Sequence, residues 1–215
     1  MTSPMCWGGL TLMLQDMFGT WTAMPDRDKD RLYLVLAHRS MKRPGFHWAL
    51  MVVPKKGSKN GNMQGAHVFH AVNTYTSANV PLDHNNNPLW RYENNAVDTM
   101  LHARLVARFL VAKLVAGRST DETITHVDSI LKQVPLVQGD PRWTCISWLI
   151  DALATLRDKG GDFDTIPVLS RGATLEKEII AFGELGSKTR FSDIKKAPLT
   201  EIPIPEKDIR LGRST

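Results

Sequence analysis

The sequence predicts an α+β fold, an antiparallel sheet packed with helices, and three observations carry that expectation. Residues 31–38 and 46–53 are near-continuous apolar runs of the length and β-branched or aromatic content of buried strands. Later in the chain Ile146, Leu149, Ile150, Leu153 and Leu156 recur at spacings of three and four, the stripe of a helix packed on a core. After each of these runs comes a short turn former, Arg43-Pro44-Gly45 and then Asn60-Gly61, which suit hairpins joining antiparallel neighbours.

Taken in order, residues 1–25 are apolar without a period, with Trp7, Phe18 and Trp21 among glycines, and read as an N-terminal arm. The first strand spans 31–38. The second spans 46–53 and is stopped by Pro54, which has no N–H for a ladder. A turn-rich loop from Lys55 to Gly65 leads into a third strand over 67–73, and an Asn/Pro-rich loop over 83–88 precedes a fourth over 89–93. Residues 99–116 admit two readings. Alternation across Arg104, Val106 and Arg108 favours a strand, whereas length and Ala/Leu content favour a helix.

Thr120, Glu122 and Thr123 open a helix whose apolar face holds Ile124, Val127, Ile130 and Leu131, and Pro135 ends it. The loop Gln138-Gly139-Asp140-Pro141 feeds a helix from Thr144 to Asp158, closed by Gly160-Gly161. One more helix is expected over 173–185. The stretch from 188 onward, with Pro198, Pro203 and Pro205, reads as an extended or flexible tail. The organisation is therefore an arm (1–25), one domain (26–187) and a C-terminal tail (188–215), with no internal repeat.

Composition narrows the function classes. An apolar fraction of 42% and a charged fraction of 23% over 215 residues are ordinary for a globular domain. The net charge of +5 invites a nucleic-acid reading. The charge is not gathered on one element, however. Lys55, Lys56 and Lys59 share a loop, Lys188, Arg190, Lys195 and Lys196 share the tail, and elsewhere bases alternate with acids, as over Asp26-Arg27-Asp28-Lys29-Asp30-Arg31. A solvated mixed-charge surface accounts for this better than a nucleic-acid face, which is kept as an alternative. No run of about 18 apolar residues is present, so no membrane span is expected. The N-terminus lacks a basic n-region. The two cysteines, Cys6 and Cys145, could form one disulfide but are too few for a stapled secreted domain. A cytoplasmic, reducing location is the expectation.

Cys145 is the residue with the most chemistry. A thiol is a poor nucleophile until it ionises, and a helix N-terminus or a neighbouring imidazole favours the thiolate. Cys145 stands at the start of a strongly patterned helix. The competing reading is a small buried hydrophobe. His47 lies within an apolar strand, and period two gives it a face with Ala49, Met51 and Val53, opposite Phe46, Trp48 and Leu50. On the next strand His70 shares a face with Val68 and Val72, and His67 takes the other. Adjacent strands could thus present His47 and His70 to the same side, or these could be two satisfied core or surface histidines. A metal site built from His47, His67, His70 and Cys145 is disfavoured. His67 and His70 should diverge, and no compact ligand spacing is present. No metal and no cofactor are expected. Trp48, Trp90, Trp143 and Trp148 read as core, although Trp143 and Trp148 flank Cys145 and could wall a cleft.

The ordered triple His47-Trp48-Ala49-Leu50, Val68-Phe69-His70-Ala71 and Thr144-Cys145 resembles the lecithin-retinol acyltransferase family and its small phospholipase/acyltransferase relatives. It covers two short strands and one helix start. Those proteins are circularly permuted relatives of papain and of NlpC-type peptidases, so His precedes Cys in the chain. The resemblance implies a papain-like domain with Cys145 as nucleophile, His47 as general base and His70 orienting the imidazole. It gives Gln138, seven residues upstream, a provisional role as oxyanion donor beside the backbone N–H of Cys145, and leaves Gln138 equally readable as a polar loop residue. Asp140 could cap the local turn. The implied activity is a hydrolase or acyltransferase acting on a small-molecule, peptide or acyl substrate; the alternative is a binding module on the same fold. The overall layout is also similar to a group of uncharacterised fungal proteins.

Overall fold

The computed structural model describes residues 29–39, 44–55, 63–75, 80–115, 117–193 and 197–212. The expected N-terminal arm, Cys6 and the Asn60-Gly61 turn lie outside these residues. The chain forms an α+β domain with a six-stranded mixed sheet and four α-helices among the described residues. The strands are β1 (Arg31–His38), β2 (Phe46–Val53), β3 (His67–Val72), β4 (Arg91–Ala96), β5 (Leu105–Lys113) and β6 (Glu206–Asp208). The helices are α1 (Thr99–Arg104), α2 (Thr120–Leu131), α3 (Cys145–Arg157) and α4 (Thr174–Ser192). The sheet order is β4-β3-β2-β1-β5-β6.

Both faces of the sheet centre are covered, and this explains the unbroken apolar runs. Leu32, Leu34, Leu36, Trp48, Leu50 and Val52 join a cluster with the inward stripes of α2, α3 and α4. The alternate positions Tyr33, Val35, Ala37, Ala49, Met51 and Val53 join a second cluster, against which Leu101 of α1 packs. A strand buried on both sides has no solvent face on which to alternate. The register keeps this parity, with Ala37 opposite His47 and Leu36 opposite Trp48.

The sheet is not purely antiparallel, as the sequence suggested: β6 lies parallel to β5 at its edge. The ambiguous segment 99–116 divides. Asp98 caps α1 by accepting from the Leu101 N–H at 2.7 Å, and the chain then turns into β5. Within β5, Leu105 to Ala112 are all buried, so Arg108 never marks a wet face. The fourth strand starts two residues later than its apolar content implied, because a side chain rather than a strand engages the Trp90 backbone, as described below.

The expectation of a flexible tail from 188 is corrected. The boundary at 187 falls inside α4, which runs to Ser192. Arg190, only 1% exposed, donates to the carbonyl oxygens of Ile202 and, at 2.6 Å, of Leu199. Ile202 and Ile204 are buried, and β6 adds to the sheet. Prolines and charges made this stretch look unanchored. Its anchor is a buried guanidinium on a helix, a partner that no local pattern reports.

Candidate active site

Thr144 ends the loop before α3 in an extended conformation and caps the helix. Its hydroxyl accepts from the Ile146 N–H at 3.3 Å, and the Ser147 hydroxyl accepts from the Thr144 N–H at 3.2 Å. This reciprocal box leaves Cys145 as the first helical residue, where backbone N–H groups lack intrahelical partners and the helix dipole is positive. Upstream, Gly139 takes φ 75°, a conformation disfavoured for other residues. Asp140 accepts from the Arg142 N–H at 2.9 Å, so it caps the local turn. Cys145 is a free thiol and fully buried. Its polar contact is Arg39, the residue after β1, whose Nη2 lies 3.0 Å from Sγ.

His47 and His70 come together as strand parity indicated. His47 Nε2 and His70 Nδ1 are 2.8 Å apart, with the rings edge to face. Beyond them β4 supplies Glu93, directly opposite His70 in the ladder, with Oε2 3.8 Å from His70 Nε2. Glu93 Oε1 accepts from Arg91 Nε at 2.7 Å. A polar row therefore crosses three strands as His47, His70, Glu93 and Arg91.

The imidazoles follow the parity of Ala49 and Met51, whereas Cys145 belongs to the cluster of Trp48 and Leu50 on the helix side of the sheet. Among the described residues no hydrogen bond joins Cys145 to either histidine. What the two groups share is one end of the sheet. There β1 ends at His38, β2 begins at Phe46, and Arg39, the residue after β1, reaches the sulfur.

Gln138 is exposed, and both ends of its carboxamide are engaged by one backbone. It accepts from the Trp90 N–H and donates to the Trp90 carbonyl, each at 2.8 Å. The side chain acts there as a one-residue strand and ties the loop before α3 to the start of β4. Trp148 is fully buried against Tyr92, with ring centroids 5.7 Å apart, and the largely buried Trp143 meets Trp90 edge-on at 5.0 Å. These rings are core rather than cleft walls. His67 turns toward Phe69, away from His70.

Residues 29–173 match DUF6914, a family of unknown function. The chain belongs to this family. No curated protein and no solved structure matches it. The DUF6914 segment contains Arg39, His47, His70, Glu93 and Cys145, together with β1 to β5 and α1 to α3, and stops just before α4. No helix among the described residues is long and apolar enough to cross a membrane.

Two residues of the candidate site escaped the sequence reading. Arg39 closes an apolar run and looks like an ordinary flanking charge. Glu93 looks like the solvent-facing end of a strand. Only strand pairing puts Glu93 across from His70.

Electrostatics keep both imidazoles neutral. Burial holds the His47 affinity for protons well below its ordinary value, and the His70 ring and the Arg39 and Arg104 guanidinia add to the effect. Burial likewise lowers His70 to about 4, with Glu93 pulling it up and Arg91 pushing it down. Above pH 6.5, the ordinary histidine value, both rings are neutral in the folded and unfolded chain and cost nothing. As pH falls below it, the unfolded chain takes up protons that the folded chain does not, so stability drops until His70 titrates near 4. At about pH 5 the loss from His70 alone is expected to be roughly 2 kcal/mol. Urea unfolding at about pH 7.5 and pH 5 measures it. In His70→Gln, the difference between the two conditions should shrink by a similar amount.

Proposed function

We propose that this protein is a cysteine-dependent hydrolase or acyltransferase, built on a circularly permuted papain-like domain, that acts on an amide, ester or thioester through a Cys145 acyl-enzyme. The observation that carries the reading is the His47–His70 pair: Nε2 of His47 is engaged by Nδ1 of His70 at 2.8 Å, which leaves Nδ1 as the ring nitrogen available for a thiol proton. Cys145 adds support by opening a capped helix at the same end of the sheet, with a guanidinium against its sulfur.

In this reading Arg39 swings off the sulfur when substrate enters, Cys145 and His47 are brought together across the end of the sheet that they share, and His47 Nδ1 takes the proton from Sγ. Sγ then forms a bond to the acyl carbon. The tetrahedral oxygen is held by the backbone N–H of Cys145, since the Gln138 carboxamide is occupied at Trp90 and the next N–H groups of α3 are engaged by Thr144. His47 returns the proton to the departing amine, alcohol or thiol, and water or a second nucleophile takes the acyl group from Cys145. A non-catalytic binding module is the second reading. It is favoured by the complete burial of Cys145 and by the parity that puts the imidazoles and the sulfur on different faces.

A panel of acyl, lipid and peptidyl electrophiles separates the two, with adducts read by peptide mass spectrometry so that Cys6 and Cys145 are counted apart. The catalytic reading expects a stoichiometric adduct on Cys145 with at least one acyl class, faster than on an unfolded control. Labelling of Cys145 only after denaturation would leave the binding module standing.

A further inference from the structure

We propose that Glu93 is a positioning residue that sets the proton pattern of the histidine pair; the inference rests on the reading of His47 as the base for Cys145. Its ground is the order of the polar row. Glu93 lies opposite His70 in the β3–β4 ladder, and its Oε2 stands 3.8 Å from His70 Nε2. That nitrogen is buried and has no hydrogen-bond partner. The other carboxylate oxygen is held by Arg91 Nε at 2.7 Å, and Asn95 Nδ2 approaches Oε2 at 3.5 Å, so the carboxylate is fixed in its direction.

A carboxylate accepts protons and offers none, so the nitrogen facing it is best satisfied carrying one. With the proton on Nε2, Nδ1 of neutral His70 is an acceptor. The 2.8 Å contact must then be filled by a proton on His47 Nε2. Neutral His47 carries only one proton, so its Nδ1 has the lone pair. Glu93 thereby passes along two rings the tautomer that makes His47 Nδ1 a base, without touching the thiol or a substrate.

Charge acts in the same direction. When His47 takes the thiol proton, the imidazolium lies in a row facing His70, Arg39 and Arg104, with Arg91 beyond; Glu93 is the carboxylate within that row. Removing its charge destabilises the imidazolium, so a thiolate–imidazolium pair forms at higher pH.

The test uses the full chain with Glu93→Gln and Glu93→Ala. Two quantities are read: the pH profile of Cys145 alkylation by iodoacetamide, and the ring ¹⁵N shifts of His47 and His70, which report which nitrogen holds the proton. Glu93→Gln keeps an acceptor and loses the charge. It should retain the Nε2–H tautomers while its alkylation profile moves toward higher pH, with a rate near pH 6 lower by about ten-fold, the equivalent of one pKa unit. Glu93→Ala should lose the tautomer order as well. Wild-type tautomers in Glu93→Ala, or superimposable profiles for wild type and Glu93→Gln, would overturn the role of Glu93. A wild-type Cys145 whose labelling is indifferent to His47→Ala would instead sink the base assignment, and the ¹⁵N shifts would still decide whether Glu93 orders the pair.

Discussion

Replacing His47 with alanine is expected to slow alkylation of Cys145 at neutral pH by about 10²-fold or more, the usual range for a positioned base. On the proposed mechanism His47 takes the thiol proton through Nδ1, because its Nε2 is engaged at 2.8 Å by His70. Burial holds the proton affinity of the ring well below its ordinary value, so it is neutral at pH 7, as the proposed base must be. His70→Gln should give a smaller loss than His47→Ala, since it removes orientation and leaves the base. The measurement is the second-order rate of carbamidomethylation at Cys145, followed by peptide mass spectrometry, with far-UV circular dichroism to establish that the variants fold. Equal rates for wild type and His47→Ala would remove the base from the mechanism.

The second large effect concerns the fold. Gly186 lies on the inner side of α4, where an added Cβ would overlap the carbonyl oxygen of Val106 in β5 and come within 3.4 Å of Pro205 Cγ. The obstacle is backbone inside a buried strand, so no rotamer change relieves it. Either α4 lifts from the sheet or β5 bends. Gly186→Ala gains about 1 kcal/mol of helix propensity. The overpacking outweighs it, and a net loss of about 3 kcal/mol is expected, with a fall in Tm of roughly 6–12 °C for a domain of this size. Lifting α4 also strains the hold of Arg190 on Leu199 and Ile202, so hydrogen exchange should rise across 199–208. Thermal unfolding read against Glu184→Ala, an exposed neighbour expected to stay within about 0.5 kcal/mol, isolates the effect. An unchanged Tm in Gly186→Ala would show that α4 does not approach β5 this closely.

Much of the fold could be read locally because local signals agreed with tertiary demand. β1, β2 and α3 were bounded to within a residue. Buried strands must be apolar on both faces, and a helix on a core must repeat at three and four. The division of 99–116 was ambiguous for a physical reason: the short α1 and the doubly buried β5 have no period between them to mark the change. At Trp90 the local apolar content pointed to a strand, and the Gln138 carboxamide, reached from 48 residues away, took its place in the ladder.

The sequence by itself determined that Cys145 opens a helix and that His47 and His70 share one side of adjacent strands, since helix caps and strand parity are properties of neighbouring residues. Only the tertiary structure decided what each of them meets. Cys145 was expected beside an imidazole and has a guanidinium, because Arg39 leaves β1 at the end of the sheet where α3 begins. His70 acquired Glu93 through the β3–β4 register, and the C-terminal segment acquired its anchor through Arg190. Pairings between residues 23 to 106 positions apart, such as His47 with His70 and Arg39 with Cys145, depend on how the elements pack, and no local pattern encodes them.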